Sequence, residues 1–372
     1  MTLAISVAAL GAYGLPVLVL GGLFVVLAVG LVVAERVLIN YGICTVDINS
    51  GEEELEIEGG QTLLDTLYEQ EIYIPSACGA KGSCGHCKVT VLSGGGPMLP
   101  TETPFFSRAQ RRAGRRLACQ VKVREDMEIR VPEDVLNVQM FEATVRSTRS
   151  VTPDIKEIEF SLDEPEEIHF RCGQYVQVQA PSPEGAVFRA YSISNPESVN
   201  GVVRLVVRLV PGGIGSTYLH NLEEGQKVIF TGPFGEFHLS EDPEVEIVCV
   251  GGGCGMAPIR SVVHSTLERW PERRCSMFFG CRGTDDIFYM DEFKELEKKH
   301  PNFRVVYALS DLGPDEEWDG ETGFIHLSVD KYLEEDPDRQ AFLCGPPPMI
   351  EAVQDVLQDK GMRPEDVFYD EF

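Results

Sequence analysis

The chain has 372 residues and a formal net charge of −27, with 59 acidic against 32 basic side chains. That length calls for more than one core, and such an acid excess excludes nucleic acid as a partner, because the phosphate backbone would be repelled. Eleven cysteines, an odd number with several standing singly in apolar runs, fit a reducing compartment better than a secreted disulfide framework.

The first 34 residues carry no charged side chain, and "LPVLVLGGLFVVLAVGLVVA", Leu15 to Ala34, is apolar apart from glycines and Pro16. About 20 such residues span the hydrocarbon core as a helix. A cleaved signal would show a basic start and a shorter apolar stretch. The reading is a retained anchor over residues 1–37, a single pass, with the soluble body facing the cytoplasm.

Residues 42–133 read as a small α+β domain. "CTVDINS" and "EELEIEG" alternate like paired strands, "QTLLDTLYEQ" is an amphipathic helix, and "KVTVLSG", "LACQVKV" and "MEIRVP" add further strands. Within it stand Cys78, Cys84, Cys87 and Cys119, spaced C-x5-C-x2-C-x31-C. Zinc ribbons show two C-x2-C pairs; here there is one, and Gly79, Gly82 and Gly85 surround it. Glycines let a backbone wrap closely and turn its amides toward a negative cluster. The spacing is one residue longer in its first interval than the plant-type 2Fe-2S pattern. Ligation of a 2Fe-2S cluster is the favoured reading, with zinc and disulfides as the alternatives.

Residues 138–240 change to strands rich in Val and Ile, such as "IKEIEFSL", "QYVQVQAP" and "VVRLVVRLV", which predict an antiparallel β-barrel. "RAYSISN" stands inside it. Arg189 can neutralise a cofactor phosphate, Tyr191 can lie against an isoalloxazine ring, and the Ser192 hydroxyl can hydrogen-bond that ring. About 20 residues later "PGGIGSTYLHNL" leads glycines into a helix start carrying Gly215, Ser216 and Thr217, which suits a pyrophosphate. The order of the two motifs makes this an FAD domain.

Residues 244–372 alternate strand and helix, predicting a doubly wound α/β sheet. The continuous apolar strand "VEIVCV" runs into "GGGCGMAPIR". Gly251, Gly252, Gly253, Gly255 and Met256 open a helix in the setting of a dinucleotide phosphate loop. Cys344, Gly345 and Pro346 end a later strand, where such sheets bind ligands; the alternative for Cys344 is a buried packing thiol. With Asp285 and Asp286 beside a lone Arg282, NADH is favoured over NADPH.

The motifs "SACGAKGSCGHCKV", "RLACQV", "RAYS", "GPFGEF", "GGGCGMAPIRS", "CGPPPM" and "FYDEF", in this order behind an anchor, resemble the ferredoxin-NADP reductase superfamily. Within it they resemble the family of F subunits of sodium-translocating NADH:quinone reductases. The resemblance implies Cys78, Cys84, Cys87 and Cys119 as cluster ligands. It also implies Arg189, Tyr191 and Ser192 at FAD, Gly215, Ser216 and Thr217 at its pyrophosphate, and Phe372 stacked on the flavin until NADH displaces it. Cys344 and Glu371 would shape the nicotinamide site. Electrons would pass from NADH to FAD to the 2Fe-2S cluster and on to a membrane acceptor, with membrane lipid and other membrane subunits of a quinone reductase complex as partners, in a bacterial inner membrane. The chain lacks the insertion that family commonly carries before its Arg-x-Tyr-Ser motif. The rival readings are the reductase component of an oxygenase and an assembly protein without turnover.

Overall fold

The computed structural model describes residues 18–30, 41–76, 78–132, 135, 138–183, 185–235, 237, 239–313 and 317–371. Residues 18–30 form a helix, α1, whose side chains are exposed. Among the described residues no helix is long and apolar enough to cross a membrane. The rest of the expected anchor, 1–17 and 31–37, lies outside the described residues. Packing divides the chain into two compact units, Met1–Gln70 with Cys87–Pro132, and Glu71–His86 with Glu133–Phe372.

In the first unit, strand β1 (Ile43–Ile48) pairs antiparallel with β2 (Glu53–Glu58). Helix α2 (Leu63–Glu69) follows, started by the Thr62 hydroxyl, which accepts from the Asp65 N–H. Its apolar side, Leu63, Leu64 and Leu67, is buried at roughly 1.5–3 kcal/mol per side chain. After β3 (Lys88–Ser93) come α3 (Arg108–Arg112), β4 (Arg115–Leu117) and β5 (Met127–Arg130), giving the order β2-β1-β5-β3-β4 with β1 and β5 parallel. A buried ion pair ties this unit together. Arg116 grips Glu102 at 2.8 Å from both Nε and Nη2, and Glu102 also accepts from the N–H groups of Leu99 and Leu117.

The second unit holds two sheets. Strands β6 (Gln139–Ser150), β7 (Ile155–Glu164), β8 (Tyr175–Ser182), β9 (Gly185–Ser192), β10 (Val202–Arg208) and β11 (Lys227–Phe234) form an antiparallel sheet, with helix α4 (Ile214–His220) before β11. The order is β10-β7-β6-β11-β8-β9. It curls around Phe141, Phe160, Val176, Leu205 and Phe230. Its edges β9 and β10 are joined through one isolated bridge, Ile193 to Leu205. The expected barrel is therefore a half-barrel: the strand pattern was right, but the edge strands do not share a ladder.

The second sheet is parallel. It comprises β12 (Glu246–Gly252), β13 (Cys275–Cys281), β14 (Phe303–Leu309), β15 (Glu321–Thr322), β16 (Arg339–Gly345) and β17 (Val367–Glu371), in the order β15-β14-β13-β12-β16-β17. Side chains of β12 alternate between its faces: Ile247 and Cys249 enter one core with helix α5 (Met256–Arg269) and α6 (Met290–Lys299), and Val248 and Val250 enter another with α7 (Ile325–Tyr332) and α8 (Pro347–Asp359). Helices on both faces make the sheet doubly wound, as the strand-helix alternation predicts.

Candidate functional site

The four cysteines come as two pairs, one in each unit. Cys87 precedes β3 and Cys119 follows β4, and the antiparallel register Lys88 to Leu117 sets them opposite each other. The Cys87 carbonyl accepts from the Ala118 N–H, and the two sulfurs lie 3.3 Å apart without a disulfide. In the second unit, Gly79, Ala80, Gly82 and Gly85 all take left-handed backbone, between +65° and +71°. These turns point amides inward. Burial opposes ionisation of Cys78, but the N–H groups of Ser83 and Cys84 and the Cys84 side chain outweigh it and bring the thiol down to about 7. Burial raises Cys84. Among the described residues no three His, Cys, Asp or Glu side chains form a set able to hold one metal ion. A 2Fe-2S cluster needs four thiolates shared between two irons; within each unit two thiols are held close together, a donor chemistry that suits such a cluster.

The loop carrying Cys78 and Cys84 rests on the half-barrel. The buried Gln177 side chain accepts from the Ser76 N–H at 3.0 Å, and His86 meets Tyr175 edge-on at 6.4 Å. Arg189 lies over Gly79, where a Cβ would come within 2.5 Å of its guanidinium. The same arginine and Tyr191 close on the start of α4: a Cβ on Gly215 would sit 2.6 Å from the Tyr191 hydroxyl and 2.7 Å from Arg189. Sequence motifs about 20 residues apart thus converge, and only glycine fits between them. Burial pushes the Tyr191 phenol well above its ordinary value, so it stays neutral. Ser192 ends β9 half-buried, opposite Tyr175. Ser216 is buried and braces the turn, its hydroxyl accepting from the Val210 N–H at 3.1 Å; Thr217 is exposed on a cavity.

That cavity, about 1260 Å³, opens at the carboxyl ends of the parallel strands and is lined by Gly252, Gly253, Gly280, Ser310, Pro346 and Met349 on one side and by Arg208, Gly212 and Thr217 on the other. Two of its side chains were not anticipated from sequence. The Arg208 guanidinium packs within 2.4 Å of where a Gly253 side chain would begin, and Asp154 lies 3.1 Å from its Nε. Arg208 is the last residue of a strand, and that position beside a glycine turn was its one local signal. On the rim, Phe324 is two-thirds exposed and stacks with His326.

The remaining predicted residues separate. Met256 is fully buried in the core below α5, and Gly251 packs against Ile259 and Phe279. Gly255 sits on the Cys344 backbone, where a Cβ would approach its carbonyl to 2.1 Å. The Cys344 side chain is buried in the same core, and burial holds its thiol well above the ordinary value. Gly345 is buried and Pro346 exposed at the start of α8. Glu371 is exposed at the end of β17, and Phe372 lies outside the described residues. Asp370, opposite Cys344 in register, is the acid that burial affects, its pKa pushed up to about 6.

Three family models match this chain: a 2Fe-2S iron-sulfur cluster binding domain over residues 46–124, an oxidoreductase FAD-binding domain over 142–239, and an oxidoreductase NAD-binding domain over 249–355. The chain is 38% identical to the F subunit of the Na(+)-translocating NADH-quinone reductase of Pseudomonas aeruginosa strain UCBPP-PA14, over 94% of this chain and 97% of that protein. It is also 38% identical to the protein of that name from Neisseria meningitidis strain FAM18, over 93% and 96%. Among solved structures it is similar to a cytochrome P450 reductase of Amycolatopsis, at TM-score 0.72 and 31% identity over 88% of this chain and 98% of that one. It is likewise similar to the ferredoxin reductase in carbazole 1,9a-dioxygenase, at 0.67 and 28% over 89% and 98%.

Proposed function

The chain belongs to the family of Na(+)-translocating NADH-quinone reductase F subunits, and from that premise we propose how its residues serve the reaction. It is an NADH oxidoreductase dependent on FAD and a 2Fe-2S cluster, the electron-input component of a larger complex. When bound, FAD converts the two-electron hydride of NADH into single electrons that the cluster carries one at a time.

Arg189 and the start of α4 at Gly215 and Thr217 are assigned to the flavin's phosphates, with Tyr191 and Ser192 beside its ring system. Gly252, Gly253 and Pro346 line the NADH cavity, and Arg208 supplies its positive charge. Cys78, Cys84, Cys87 and Cys119 are the cluster ligands. Cys344 acts through its backbone, which seats Gly255, and the flavin-facing role of Phe372 is carried over from the family likeness. The domain limits we assign are an anchor at 1–37, a ferredoxin-like domain at 42–133, a flavin domain at 138–240 and a nucleotide domain at 244–372. The exposed apolar helix at 18–30 supports a single-pass anchor in the inner membrane, against lipid and the other membrane subunits, with quinone as the final acceptor. An uncharged helix has no path for an ion, so sodium movement is assigned to other subunits.

The observation that carries this reading is the convergence of the Cys78 loop, Arg189, Tyr191 and Gly215 at one strand, β9. The test is a visible spectrum of the purified chain before and after anaerobic NADH. Flavin and cluster bands should both bleach; a flavin band without any cluster band would remove the exit route. The likeness to oxygenase reductases favours a second reading, in which the acceptor is a soluble protein. Recovery of the chain in the soluble fraction, with no quinone reduction by membranes, would favour it.

A further inference from the structure

Between Thr103 and Arg124 the chain carries seven arginines and lysines and no aspartate or glutamate, inside a molecule of net charge −27. The structure divides these cations by role. Arg116 is turned inward, its side chain 7% exposed, and its bidentate partner Glu102 is fully buried. The acid that precedes this run is therefore withdrawn from the surface. Arg108 and Arg112 are exposed along α3, Arg111 is half-buried between them, and Arg115 is half-buried at the start of β4. Among the described residues Arg108, Arg111 and Arg112 enter no ion pair.

Elsewhere Arg146, Arg149, Arg208, Arg274 and Arg339 each lie within 4 Å of a carboxylate. What sets this segment apart is the run itself: Arg108, Arg111, Arg112 and Arg115 reach the surface within a stretch, Thr103 to Arg124, that holds no acid. The face is also held in shape. Ser107 and Gln110 close a reciprocal cap on α3, with Gln110 Oε1 accepting from the Ser107 N–H at 2.8 Å. From Arg115 the strand runs through Leu117 directly to Cys119, and the half-buried Gln120 places its Nε2 3.5 Å from the Cys119 sulfur.

We propose that Arg108, Arg111, Arg112 and Arg115 form the docking surface for an acidic patch on the neighbouring protein that takes the electron from the cluster. The proposal rests on the electron-input reading above. One electron leaves the NADH-reduced centre for the partner's acceptor, with no bond made or broken. A basic face beside a cluster ligand draws an acidic partner to that spot, while the surrounding negative charge repels it elsewhere; such complementarity acts on encounter rate and orientation.

The test uses the complete complex in vesicles with a short-chain quinone, carrying R108E/R111E/R112E in this chain. NADH-driven quinone reduction should fall about tenfold or more, while NADH bleaches the flavin and cluster bands of the isolated variant at the wild-type rate. The neutral R108Q/R111Q/R112Q should lose less and should flatten the decline of rate with added salt. Unchanged quinone reduction in the glutamate variant overturns the proposal. So does slowed bleaching, which would assign the arginines to folding. So does a wild-type complex that drops to the variant's rate in pure phosphatidylcholine, which would make anionic lipid the occupant. If NADH bleaches neither band of the wild-type chain, the electron-input reading fails as well, and that result is separately visible.

Discussion

Cys78 and Cys281 carry the same thiol in opposite surroundings. Around Cys78, left-handed glycines aim backbone N–H groups at sulfur and bring it down to about 7 despite partial burial. Cys281 ends a parallel strand, where burial, and then the nearby Asp286, push it up to about 12. Cys249 and Cys344, on neighbouring strands, are also driven well upward by burial. A thiol becomes a metal ligand as thiolate, so the surroundings of Cys78 suit the ligand role proposed for it, and the strand cysteines act as small apolar side chains.

Exchange of the two kinds should have the largest consequence. Cys87→Ala or Cys119→Ala should abolish the cluster's visible absorbance and leave flavin bleaching by NADH intact. Cys249→Ala should keep both signals and lower stability by roughly 1–3 kcal/mol. A Cys249→Ala protein without cluster absorbance would break the comparison.

Next in size is the polar brace of the ferredoxin-like unit. Glu102→Ala leaves the buried Arg116 guanidinium without its carboxylate, which should cost about 3–5 kcal/mol. A urea midpoint followed by cluster absorbance reads the loss. Midpoints that match the wild type would show that the buried pair does not hold that unit.

On the strand side, Asp286 lies 3.3 Å from Arg282 at the cavity rim. Asp286→Asn should free that cation for a 2'-phosphate and raise kcat/KM for NADPH relative to NADH about tenfold. An unchanged ratio would place discrimination elsewhere on the rim.

The smallest effect concerns two acids of opposite sign. Burial raises Glu102, but Arg116 and the backbone N–H groups of Leu99 and Leu117 outweigh it and hold the carboxyl below its usual range. Its contribution is present above the unfolded value, about 4.3, and is lost as pH falls through the lower folded value. Asp370 is raised to about 6 by burial. The folded chain holds that proton more tightly than the unfolded chain, so stability declines as pH climbs from about 4 through the folded value. Asp370→Asn should flatten the decline in a pH series of thermal midpoints. A decline that persists would assign it to another group.

Much of the site was legible because its signals are local. The x5, x2 and x31 intervals, the positive-φ glycines beside them, and the strand-turn-helix setting of Gly251 to Gly255 each depend on a few adjacent residues. Glu371 and Met256 lie beside candidate positions in sequence, but strand pleat turns Asp370 inward and leaves Glu371 exposed, and helix packing buries Met256 in the core. Arg208 and Gln177 could not be found this way. Arg208 matters through Asp154 and Gly253, and Gln177 through Ser76, 101 residues away.

The sequence by itself determined the order of the modules, the alternation of strand and helix, the cysteine spacing and the glycine turns, because backbone sterics and side-chain periodicity operate over a turn or a strand. The tertiary structure decided how the curled sheet ends, with Ile193 and Leu205 forming a single bridge where a ladder would have closed a barrel. It also decided which charges are consumed internally. Arg116 finds Glu102, and Arg339 finds Glu246 across 93 residues, while Arg108, Arg111 and Arg112 stay outside any ion pair among the described residues. Pairings of that range follow from packed elements meeting in space, and no spacing rule along the chain encodes them.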